Sequence, residues 1–133
     1  MNLKIIFTQE LQYKRETMEE FIHDDIYEKS TAGFVIELRD ESLDIVEPKT
    51  AYWQLTKTDG TIINNRSFAN CPLVDGKIIV SGDDLAIFGE MDTRIRVVAI
   101  MATYDSTNGL DLPCNKEFEF SIIRMVSIVD SVI

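Results

Sequence analysis

TAYWQLTKTDGTIIN, Thr50 to Asn64, holds both a strand pattern and a chain reversal. Ala51, Trp53 and Leu55 fall on one side of an extended chain, and Tyr52, Gln54 and Thr56 on the other, which is the two-residue period of a strand with one dry face. Asp59-Gly60 then stops the run. Asp can hydrogen-bond its own backbone and Gly accepts a positive φ, so the pair predicts a tight hairpin that returns through Thr61, Ile62 and Ile63. The phase of Trp53 places its ring with Ala51 and Leu55 in a core rather than on a sugar-stacking platform. Nothing in the stretch is a nucleophile, a base or a metal-ligand set.

The same alternation recurs on both sides. AGFVIELRDE puts Phe34, Ile36 and Leu38 on one face, with Val35, Glu37 and Arg39 opposite. A short strand follows over Leu43 to Val46, and Pro48, which cannot donate to a ladder, belongs at an edge or connection. A second Asp-Gly, Asp75-Gly76, predicts another hairpin leading into Lys77 to Ser81. GDDLAIFGEMD reads as one helical turn, capped through Gly82-Asp83 and stopped by Gly89, where the chain crosses between sheets. In TRIRVVAIMATYDS the charges of Arg94 and Arg96 set the phase: both face solvent, so Ile95, Val97, Ala99 and Met101 face inward. The outward set then continues as Val98, Ile100 and Ala102, an apolar face that something must cover, either the N-terminal segment or a neighbouring subunit. STNGLDLPCN is rich in turn formers and reads as a loop, and KEFEFSII is the last strand, with Phe118, Phe120 and Ile122 inward.

The first thirty residues read differently. Leu3 to Thr8 suits a strand, and the following run without Gly or Pro places Leu11, Met18, Phe21, Ile22 and Ile26 near one helical stripe, so a helix over part of Glu10 to Tyr27 competes with an extended arm. The end of the chain, RMVSIVDSVI, is apolar enough to dock. The organisation expected is an all-β, immunoglobulin-like antiparallel β-sandwich over 32–124, preceded by an N-terminal extension or docking arm over 1–31 and followed by an apolar tail over 125–133. Candidate contact residues are Phe21 and Ile22 in the extension, Val98 and Ile100 on the long strand, and Met125, Val126, Ile128 and Val129 in the tail. Together the two ends are expected to clamp a neighbouring subunit.

Composition narrows the function classes. A chain of 133 residues with 45% hydrophobic content can bury one core without metal or disulfide staples. The formal charge of −10, from 23 acidic and 13 basic residues, argues against nucleic acid as a partner. There is no apolar run long enough for a membrane span, and the N-terminus lacks a signal-peptide pattern, so synthesis in a cytoplasm is expected. Cys71 and Cys114 form neither a C-x-x-C pair nor a zinc pattern and are expected to be reduced.

Candidate chemistry is sparse. His23 neighbours Asp24 and Asp25, yet no Ser or Cys is placed to exchange a proton with it. Asp24-Asp25 and Asp83-Asp84 lack the alternating spacing of a calcium loop, so capping and solvation are the simpler readings. No cofactor motif occurs, and an enzyme is not expected. Exposed aromatics in a groove would indicate a carbohydrate- or receptor-binding module instead, with Tyr52, Tyr104 and Phe88 as the candidates.

Thr56, Lys57, Asp59 and Gly60 of the hairpin, SGDDL from Ser81 to Leu85, YDS from Tyr104 to Ser106, and Phe118 with Phe120 carry a resemblance. Over about Phe34 to Ile123 the chain resembles the small immunoglobulin-like sandwich proteins encoded among virion genes of tailed bacteriophages. More distantly it is similar to the N-terminal sandwich modules of phage baseplate upper proteins. The resemblance implies a non-enzymatic virion component made in the host bacterial cytoplasm. Such a component decorates the capsid or joins head, neck, tail or fibre parts, in multiple copies, with other virion proteins as partners. The N-terminal extension departs from the pattern, and the inter-sheet disulfide of antibody domains is not expected.

Overall fold

The computed structural model describes the backbone of 2–7 and residues 26–40, 42, 44–89 and 91–125. Among the described residues seven strands run in the order β1 (Asn2–Phe7), β2 (Ile26–Tyr27), β3 (Thr31–Arg39), β4 (Thr50–Thr56), β5 (Lys77–Ser81), β6 (Ile95–Ser106) and β7 (Gly109–Ile123). They form a three-stranded sheet, β1-β3-β5, and a four-stranded sheet, β2-β7-β6-β4. The protein is an all-β sandwich. With β3, β4, β5, β6 and β7 taken as strands B, C, E, F and G, the neighbours match the immunoglobulin arrangement of B beside E in one sheet and C-F-G in the other. All pairings are antiparallel except β2 with β7, which is parallel through Ile26↔Ile122 and Tyr27↔Ile123.

Residues 1–31, expected as an extension, supply a strand to each sheet. β1 pairs with β3 from Asn2↔Arg39 to Phe7↔Phe34, close to the strand expected at Leu3 to Thr8. Ile26 and Tyr27, expected at the end of a helix, are strand instead, because there the chain meets the outer edge of β7 and satisfies it. The remainder of the expected helix lies outside the described residues.

Alternation holds in β3, β4, β5 and β7. Phe34, Ile36 and Leu38, then Trp53 and Leu55, then Ile78 and Val80, then Phe118, Phe120 and Ile122 are all buried between the sheets. Each such aliphatic or aromatic side chain contributes about 1.5–3 kcal/mol on leaving water. The sheets meet where the Phe34 ring packs edge-on against Phe118, with centroids 5.0 Å apart, and tilted against Phe120 at 5.5 Å. Trp53 is in the core, as its phase requires.

The first hairpin turns where expected: Gly60 N–H donates to Lys57 O, Lys57 N–H to Thr61 O, and Gly60 takes φ +92°. The returning chain makes two isolated bridges, Thr56↔Ile62 and Tyr52↔Pro72, and runs irregularly along β4 between them. It still satisfies that edge, since Trp53 N–H donates to Cys71 O, Leu55 N–H to Arg66 O, and Leu73 N–H to Ala51 O. The second hairpin is the expected two-residue turn, with Asp75 and Gly76 at φ 55° and 67°. A Cβ at Gly76 would sit 3.0 Å from Ile36 O, so the close approach of turn and strand also needs glycine. A single 3-10 turn at Gly82–Leu85 carries the chain from β5 to β6.

Two further expectations fail. STNGLDLPCN is not a loop: β7 begins at Gly109, and Pro113 lies in register with Thr103. Ile122 N–H donates to Arg94 O, while Ile123 O accepts from Glu28 on the other side, so odd-numbered residues of β7 point their backbone groups away from β6. Pro113 is odd, and its missing N–H costs the ladder nothing.

The phase of β6 is also the reverse of that expected. Arg96 is fully buried, along with Val98, Ile100, Ala102 and Tyr104, and Ile95, Val97, Ala99 and Met101 face outward. The buried guanidinium is held by a dense set of acceptors. Nη1 donates to Thr93 O (2.6 Å) and Ile95 O (3.1 Å), and Nη2 to Ala86 O and Asp92 Oδ2, both at 3.0 Å. A fixed charge inside a core is tolerable when it is paired and hydrogen-bonded, and Asp92 is itself almost completely enclosed. Replacing Arg96 with Ala is therefore expected to cost about 3–5 kcal/mol in urea unfolding, because it strands a buried carboxylate. Arg94→Ala, at an exposed position, should stay within about 0.5 kcal/mol.

Candidate interaction surface

The reversed phase moves the candidate surface to the other side of the strand. Val98 and Ile100 are 0% and 1% exposed, so neither is available to a partner; they belong to the core. The outward set of β6 is just as apolar. Ile95, Val97, Ala99 and Met101 form a stripe without a charge along a central strand of the four-stranded sheet, with Met101 42% exposed. On one flank β4 places Tyr52 opposite Met101 and Gln54 opposite Ala99. On the other, β7 places Glu117 opposite Ala99 and Glu119 opposite Val97. The result is an apolar ridge with a neutral border on one side and an acidic row on the other.

The other contact candidates divide. Met125 is half-buried, and its N–H donates to Oε1 of the buried Glu28, whose own N–H donates to Ile123 O. Glu28 thus pins the chain just after β2 to the chain just after β7. Phe21, Ile22, Val126, Ile128 and Val129 lie outside the described residues, as do His23, Asp24 and Asp25. Of the three aromatics considered for a sugar groove, Tyr104 is buried in the core. Tyr52 belongs to the stripe's border, and Phe88 stands exposed with the Lys57 ammonium 5.9 Å from its ring centre.

Besides Glu28, two buried carboxylates, Asp84 and Asp92, are occupied in holding the fold. Asp84, fully enclosed, accepts from Asn64 Nδ2 (2.8 Å), Arg66 Nε (2.8 Å), Arg66 Nη2 (3.1 Å) and Ser81 N–H (3.0 Å). Arg66 in turn lies over the Trp53 ring, 5.8 Å from its centre. The sequence marked Asp84 only as a cap or a surface acid, because its partners lie 18 and 20 residues away. Asp92 accepts from Phe88 N–H (2.7 Å) and Arg96, with Lys57 Nζ at 3.2 Å. Burial alone would raise both carboxyls, but the donors around Asp84, led by Arg66 and Asn64, and those around Asp92, led by Phe88 N–H and Lys57, hold each below the ordinary Asp value of 3.8.

Cys71 and Cys114 are free and buried, and burial pushes both thiols up, away from the thiolate a nucleophile needs. Among the described residues no three metal-ligating side chains gather in one place. Also among them, no helix is long and apolar enough to cross a membrane. No protein-family model, no curated protein and no solved structure matches the chain.

The depressed carboxyls fix a pH dependence. Stability from a carboxyl whose folded value is lowered is complete above its unfolded value and is lost as pH falls through the folded one. The contribution of Asp84 and Asp92 should therefore be intact above about pH 4 and decline below it. Urea midpoints taken from pH 5 down to pH 2.5 are expected to fall. The fall should be shallower in Asp84→Asn, which starts less stable and has one fewer carboxylate to protonate.

Proposed function

We propose that the chain is a non-enzymatic structural protein of a bacteriophage virion, acting through protein–protein contacts made in multiple copies. The single observation that supports contact as its work is the apolar stripe Ile95, Val97, Ala99 and Met101, presented on the rigid outer face of a sheet. Exposed apolar surface with a polar rim is the ordinary signature of an assembly face. The virion setting rests on the sequence resemblance, since a sandwich by itself hosts many unrelated functions. Decoration of the capsid, or joining of head, neck, tail or fibre parts, uses this kind of surface. Repetition around a symmetric particle lets a contact of modest strength hold through avidity.

Mass spectrometry of density-purified particles, produced by the genome that encodes the chain, tests the proposal. The protein is expected in stoichiometric, multi-copy amounts. Replacing Val97 and Met101 together with Lys should lower its incorporation at least about tenfold, the effect of losing roughly 1.4 kcal/mol at the contact, with the urea midpoint little changed. Absence from the particles would overturn the virion role, and normal incorporation of the double variant would overturn the stripe as its docking face.

A further inference from the structure

A second feature lies between the sheets and owes nothing to the stripe. β5 accompanies β3 only as far as Val35↔Lys77, whereas β3 continues to Arg39. Beyond that point the neighbours of β3 on this side are loops: Ile36 N–H donates to Gly76 O (2.7 Å), and Leu38 O accepts from Val46 N–H (2.9 Å). Where the strand is missing, the inter-sheet layer opens into a cleft of about 520 Å³. That lies within the roughly 300–1,000 Å³ of ordinary ligand sites.

The floor is made by Ile36, Leu38, Ala51, Leu73, Ile100 and Ala102, of which Ile36, Leu38, Ile100 and Ala102 are buried, and polar groups make up the larger part of the exposed lining above it. Ile45 at the mouth and Val74 beside it are 63% and 60% exposed, so apolar surface continues outward from the floor. The rim is acidic in its unbalanced part. Arg39 is engaged by Glu37 at 2.9 Å, and Lys49 by Asp111 at 2.7 Å and Asp105 at 3.2 Å. Glu47 and Asp75, both exposed on the rim, have no cation among the described residues.

We propose that this cleft binds a segment of a partner chain in which an apolar side chain is flanked by Lys or Arg. The apolar group enters between the sheets in place of the missing strand, and the flanking cation meets Glu47 and Asp75. A second copy of this chain is disfavoured as the occupant, because its charge of −10 would approach an acidic rim. The inference does not rest on the virion reading or on the stripe.

The probes are two short acetylated peptides, Lys-Leu-Lys-Leu-Lys and Glu-Leu-Glu-Leu-Glu, titrated into the full chain while backbone amide resonances are followed. The basic peptide should give saturable shifts confined to Ile36–Leu38, Glu47–Ala51 and Leu73–Gly76, weakening as salt is raised. The acidic peptide should give none. Neutralising the rim with Glu47→Gln and Asp75→Asn should weaken the basic peptide about fivefold, as expected for two exposed charges. Filling the floor with Ala51→Leu should weaken it at least about tenfold. The exposed rim variants keep the test valid should the floor variant disturb folding. Four results would overturn the proposal: no shifts at millimolar peptide, equal response to both peptides, shifts mapping to Val97 and Met101, or dimerisation through the cleft in light scattering.

Discussion

The burial of Arg96 is the constraint on which the rest of the molecule depends. β6 is apolar on both faces, so its hydrophobic residues do not specify which side enters the core. A one-residue slip would exchange Val98, Ile100, Ala102 and Tyr104 for Ile95, Val97, Ala99 and Met101 at almost no change in apolar content. The guanidinium breaks that symmetry. Turned inward it finds Asp92 and three backbone carbonyls; turned outward it would leave the enclosed Asp92 and the Ala86 carbonyl without a major donor. Such a pair is weak evidence for added stability, since two charges must be stripped of water to form it. Its value here is registry, because it selects one of two nearly equal strand faces.

Asp84 performs a related task for the connections. Its carboxylate joins Asn64 and Arg66, in the irregular chain that covers β4, to Ser81 at the end of β5, and so fastens the cover of one sheet to the exit of the other. Arg66 then lies over Trp53, which couples this polar clamp to the apolar core. The edges follow the same logic. β4 is covered by backbone bonds from residues 66–73, and the C-terminal end of β7 is covered by β2. Ser81 N–H is taken by Asp84 and Lys77 N–H by Val74 O, so both ends of the short edge strand β5 are closed. Closure of this kind limits unplanned strand pairing at these places.

What was legible in the sequence was whatever local pattern decides alone. The alternation of Phe34, Ile36 and Leu38, or of Phe118, Phe120 and Ile122, has only one apolar face to bury, and both Asp-Gly turns carry their own backbone geometry. β6 was misread because Arg94 and Arg96 were given one fate. Only Arg94 is exposed, and the partner that admits Arg96 to the core is separated from it by a turn. Gly109 to Asn115 was misread because turn-forming residues outweighed register, although Thr107 and Asn108 suffice for the reversal and Pro113 fits an outer edge. The stripe was foreseen in kind and misplaced by one residue: an apolar outward face on this strand was expected, but with Val98 and Ile100 in it. The cleft was not legible at all. It arises from the different lengths of β3 and β5, a property of pairing that no single segment displays.

The stripe and the cleft are separate, since one lies on the outer face of the four-stranded sheet and the other opens between the sheets, yet the same sign of charge borders both. Glu117 and Glu119 flank the first, and Glu47 and Asp75 the second. In water an apolar patch is indifferent to its occupant beyond shape, so discrimination falls to the rim, where like charge raises the cost of a wrong approach. Carried on a chain of formal charge −10, this arrangement penalises the approach of a second copy at either place and favours a basic partner.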